Sequence, residues 1–74
     1  MLTAATCRAA RALLGWSQRE LARRSRLSVT WVKKFEAGRD GFIPVAVAAA
    51  QRALEEAGVE FLDGERPGVR LRRP

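Results

Sequence analysis

Few of the side chains that do acid–base, nucleophilic or metal chemistry occur in this 74-residue chain. There is no histidine, which removes the commonest general base and the commonest metal ligand together. The single cysteine, Cys7, can form neither an internal disulfide nor a thiolate cluster, and reads as a small buried apolar residue. Glu20 and Glu36 have structural readings, and no nucleophile stands beside a base. The expectation is a protein that is not an enzyme and carries no metal or cofactor.

What remains is charge. Fourteen basic residues face eight acidic ones, a net +6, unevenly spread. Residues 1–39 hold a net +7, residues 40–65 a net −5 and residues 66–74 a net +4. A basic stretch followed by an acidic one suggests a surface for a polyanion on one face only. Glu55, Glu56, Asp63 and Glu65 then belong to the solvent side away from it. With 47% apolar and 30% charged residues the profile is that of a folded chain, small enough that its core is marginal. The longest apolar run, Val45 to Ala50, is far too short to span a membrane. The N-terminus lacks a signal-peptide layout, so a cytoplasmic location, with no membrane partner, is expected.

Punctuation places four helices. Thr3 caps a helix from about Ala4 to Leu14, ended by Gly15. Ser17-Gln18-Arg19-Glu20 reads as a capping box that opens a second helix to about Arg24. Ser28 caps a third, Val29 to about Ala37, closed by Gly38. Pro44 fits the first turn of a fourth, which runs to Ala57 and stops at Gly58. Cys7, Ala10 and Leu14 share one face, as do Val47, Ala50 and Leu54. Leu21, Ala22, Leu27, Val32 and Phe35 form the inward set between them, and Trp16 and Ile43 are expected to seal the ends.

After Gly58 the period changes from helical to alternating. Val59 and Phe61 flank Glu60, Val69 and Leu71 flank Arg70, and residues 63–68 are dense in turn formers: a β-hairpin. Parity constrains it. Pairing Leu62 with Val69 would set Phe61 opposite Arg70. A shift of one residue puts Val59, Phe61, Val69 and Leu71 on one face and Glu60 near Arg70 or Arg72 on the other, which requires an odd-length loop. So small a hairpin must pack on something.

Two short helices joined through Ser25-Arg26-Leu27, with the small Ala22 at their crossing, match a helix-turn-helix unit. At this point the sequence resembles the phage repressor/Cro (Xre) family of DNA-binding domains. The resemblance rests on Arg11, Gly15, Ser17-Gln18, Leu21-Ala22, Ser28, Val32, Phe35-Glu36 and Gly38. It implies an all-α, lambda-repressor-like four-helix domain over residues 1–58, with residues 59–74 as a C-terminal β-hairpin extension of the same domain. It also implies that the third helix enters the major groove of double-stranded DNA, with Val29, Thr30 and Lys34 toward the bases. Gln18, Ser28, Lys33 and Arg39 become phosphate candidates, and Arg11 and Glu36 a partly buried structural ion pair that orients the reading helix.

Some positions depart from the family pattern. Arg26 stands where the family usually has glycine, so it either adopts a positive φ at some cost or reshapes the turn. Trp31 replaces a small polar residue, and reads as a solvent-facing ring, a hairpin contact or part of a dimer surface. Asp40 beside Arg39 weakens minor-groove contact from that loop. Arg19, Arg23 and Arg24 read as a solvated helix face. Arg70, Arg72 and Arg73 fit a solubility device, a phosphate grip or an interface edge equally well. The function implied is a transcriptional regulator, a repressor working as a homodimer on an inverted repeat, without a small-molecule effector. A protein-interaction module, such as an antitoxin or accessory subunit, is the alternative.

Overall fold

A computed structural model describes residues 1–39, 42–62 and 67–72. Four helices, α1 (Ala4–Leu14), α2 (Gln18–Ser25), α3 (Val29–Glu36) and α4 (Pro44–Glu56), precede two strands, β1 (Val59–Leu62) and β2 (Gly68–Leu71). Each helix begins where a local bond or a fixed φ makes beginning cheap. The Thr3 hydroxyl accepts from the Thr6 amide at 3.1 Å, and Thr6 Oγ1 accepts from the Thr3 amide at 2.9 Å, a reciprocal cap built from two threonines. Ser28 Oγ accepts from the Trp31 amide at 3.0 Å, and Pro44 supplies the preset φ at the start of α4.

The box expected at the start of α2 forms only in half. Ser17 Oγ accepts from the Glu20 amide at 3.0 Å, but the Glu20 carboxylate turns away, to Arg23 at 2.6 Å and Arg24 at 2.7 Å. Two cations one turn on outbid a neutral backbone amide for a carboxylate. Hydrogen bonds from Arg23 and then Arg24 hold Glu20 down at a pKa of about 2. Two of the three arginines read as a solvated face are thus paired, though still exposed.

Arg26 takes the strained option. It closes α2 with φ 60° and ψ 39°, and among the described residues no other non-glycine has positive φ. An L-residue there costs about 1–2 kcal/mol, which glycine would avoid.

The core forms where α2 packs against both α3 and α4, while α1 closes the other side beneath the hairpin. Leu21, Leu54, Val32, Val59 and Cys7 are fully buried, as Ala10, Ala22 and Ala50 nearly or wholly are. The strands are antiparallel, with Val59 opposite Leu71, Glu60 opposite Arg70 and Phe61 opposite Val69. Five residues, 63–67, join the paired ends, so the loop is odd and the apolar set shares a face. Val59 is buried, Phe61 and Val69 lean on the core, and Arg70 meets Glu60 at 2.6 Å on the opposite face. The expectations for Asp40, Asp63, Glu65 and Arg73, and the detail of the turn at 63–66, lie outside the described residues.

Ile43 does not seal an end; it is 52% exposed. It is the N-cap of α4, with extended backbone at φ −113° and ψ 110°, so it leaves the stripe that Ala46, Val47, Ala50 and Leu54 turn inward. Leu2 seals the opposite end instead. It is buried with Cys7 in one cluster, and its amide donates to Gln51 Oε1 at 3.0 Å. An apolar residue just before the cap, paired with one four positions into the helix, is a staple pattern visible in sequence.

Arg26→Gly is expected to raise stability by up to about 1 kcal/mol, because relief of the left-handed strain exceeds the added chain entropy. Urea unfolding followed by circular dichroism measures it, and an unchanged or lower midpoint would contradict a strained turn.

Candidate nucleic-acid interface

Glu36, the last residue of α3, is 3% exposed, and no other charged residue among those described is buried. A carboxylate at a helix C-terminus lies against the dipole, and burial adds a desolvation cost, so it must be compensated in full. Arg11 donates to it twice, Nε to Oε2 at 2.8 Å and Nη2 to Oε1 at 2.7 Å. Gln18 Nε2 donates to Oε1 at 3.0 Å, and the Cys7 thiol donates to Oε2 at 3.0 Å. Arg8 Nη1 bonds the Glu36 carbonyl, one of the C-terminal acceptors that α3 leaves open. Arg11 Nη1 also holds the Trp16 carbonyl at 2.9 Å.

These bonds decide the protonation states. Burial pushes the Glu36 pKa up, but hydrogen bonds from Arg11, Cys7 and Gln18 and the Arg11 charge outweigh it, and hold the carboxyl below its ordinary range. Burial, then the bond to Glu36, pushes the Cys7 thiol far up, so it stays protonated and remains a donor. Among the described residues no buried side-chain nitrogen or oxygen lacks a partner.

The arrangement is mechanical. α2 and α3 are joined at one end by the turn at Arg26. Their far ends, Gln18 and Glu36, are tied to each other and to α1. The angle between the two helices is therefore held at both ends.

With that side of α3 anchored, the opposite side is free. Thr30, Lys33 and Lys34 are exposed on α3, Arg39 just beyond it, and none of the four has a side-chain partner among the described residues. Val29 is half-buried against the core. Ser28 is exposed and uses an oxygen lone pair as cap, which leaves its O–H to donate. Gln18 is half-buried, with its amide turned inward to Glu36, a partnership that nothing local in the sequence signals.

Trp31 is not a freely solvated ring. It is half-buried and stacks on Phe35, with ring centroids 5.0 Å apart and planes 10° apart. The guanidinium of Arg24 lies 4.7 Å over the Trp16 ring, which steadies the turn between α1 and α2. Among the described residues no helix is long and apolar enough to cross a membrane, and no group of metal-ligating side chains occurs.

A family model described as a helix-turn-helix domain matches residues 4–61, which takes in all four helices and most of β1. No curated protein matches the chain.

Arg11→Met removes the main compensation for a buried carboxylate, and is expected to cost about 3 kcal/mol or more in urea unfolding. The pH response should also reverse. In the parent, the carboxyl titrates lower folded than unfolded, so its stabilisation holds above the ordinary carboxylate range and is lost as pH falls through the folded value. In Arg11→Met burial dominates and the folded pKa rises, so mild acidification from neutrality should stabilise the variant. Parallel pH profiles for both proteins would contradict this account.

Proposed function

The chain belongs to the helix-turn-helix domain family, and on that premise we propose that it is a sequence-specific double-stranded DNA-binding transcriptional regulator, a repressor of the lambda-repressor-like class. The observation that carries this reading is the exposed side of α3: one hydroxyl and two unpartnered cations on a helix whose other side is locked in place. A rod held at fixed tilt with such a face suits the major groove. Thr30 and Lys34 read base edges, and Val29 packs on a thymine methyl. Ser28, Lys33 and Arg39 bond phosphates. Gln18 joins them through the amide hydrogen that Glu36 leaves unused and through the N-terminus of α2.

One such helix reads few base pairs, so the reading extends to a homodimer on an inverted repeat. Residues 1–58 are the reading head and residues 59–74 its extension. Neither cofactor nor small-molecule effector enters the scheme. Of the two surfaces available for pairing, the start of α4 is favoured over the hairpin. Phe42 and Val45 are 58% and 80% exposed beside Ile43, whereas the hairpin edge is short, carries Arg70 and is flanked by Pro67 and Arg72.

The same apolar group favours a second reading, a protein-interaction module such as an antitoxin or accessory subunit. DNA titration separates the two. Selection from random duplexes should return a two-fold symmetric site, and affinity for it should fall steeply with salt, by about 0.9 in the log–log slope per phosphate contacted. Lys34→Ala should weaken the selected site by about 1–3 kcal/mol and relax preference at one position. Binding to no duplex, or binding indifferent to salt, would support the interaction module instead.

A further inference from the structure

Cys7 is wholly buried beneath α3 on α1, so it can touch no DNA, and yet its thiol is one of the four donors to the Glu36 carboxylate. We propose that Cys7 is a positioning residue for DNA reading, one that sets the angle between α2 and α3 through Glu36 and Gln18; this rests on the DNA-binding function proposed above. The geometry makes the donors interdependent. Cys7 Sγ and Arg11 Nε share Oε2, while Arg11 Nη2 and Gln18 Nε2 share Oε1. With the thiol in place, Oε2 faces α1 and Oε1 is left for Gln18 at the head of α2. Without it, Oε2 keeps a single donor in a buried site. The carboxylate then turns to spread its load over Arg11, and the Gln18 link stretches. α2 and α3 remain joined at the Arg26 turn but lose a tie at the opposite ends, where Lys34 and Gln18 must meet bases and phosphates in register. Such a change costs little on a random duplex, where any phosphate spacing serves, and more on the preferred site, where register counts.

The test compares Cys7→Ser, which keeps a donor of similar size, with Cys7→Ala, which keeps none. Both are measured on the selected duplex and on a scrambled one, at a temperature where circular dichroism shows each protein folded. Cys7→Ala is expected to lower the ratio of specific to non-specific affinity about fivefold, the worth of one hydrogen bond, with Cys7→Ser within about twofold of the parent. In the DNA-free protein, the nuclear magnetic resonance signals of the Gln18 carboxamide and the Arg11 Nε–H should shift in Cys7→Ala and stay in place in Cys7→Ser. An unchanged affinity ratio in Cys7→Ala, equal losses in the two variants, or unmoved Gln18 and Arg11 signals would each overturn the proposal. Failure of the parent to bind any duplex would instead overturn the DNA-binding function, and the spectra would still decide whether Cys7 positions Gln18.

Discussion

A buried carboxylate in a small protein must be answered bond for bond, and Glu36 organises the structure around that requirement. Its oxygens draw side chains from α1 and from the head of α2 to the tail of α3. An apolar residue of similar volume would pack there without that demand, and buried pairs often add little net stability over such a replacement. What the carboxylate supplies is direction. Apolar contacts tolerate sliding, whereas a bidentate guanidinium with two further donors accepts one geometry. Here that directionality fixes the tail of α3 against α1 and the head of α2.

The core can be small because alanines bring the helices close. Ala10, Ala22, Ala50 and Ala53 occupy positions where helices meet, and the larger Leu21, Val32 and Leu54 fill the centre. The hairpin completes it as a lid, since Val59 reaches full burial and Phe61 and Val69 cover its margin. Residues 59–62 would be a marginal strand alone, and they hold their place because their apolar face has the helices to rest on.

The surface divides along the same lines. Where α3 leaves Lys33 and Lys34 without partners among the described residues, Arg23 and Arg24 of α2 share Glu20 and Arg70 of the hairpin pairs with Glu60. The exposed side of α3 therefore carries two unpaired positive charges. Arg26 adds local strain at the one turn that must be tight, tolerated because the packed helices on either side leave the chain no other path.

The sequence by itself determined the elements. Caps, glycines and a proline set helix ends to within a residue, because those ends depend on neighbours three or four positions away. Alternation determined the hairpin parity, because a slip of one residue would have turned every apolar side chain to water. The spacing from Arg11 to Gly38 also made the helix-turn-helix pattern legible. Several polar partnerships and burial outcomes were decided only by the tertiary structure. Gln18 and Cys7 find Glu36 across 18 and 29 residues, Glu20 abandons its cap for two arginines, and Ile43 stays in solvent while Leu2 takes an inner place. Each of these is a competition among partners that only the folded chain brings within reach, and hydrogen bonds go to the group that arrives with charge and the right angle.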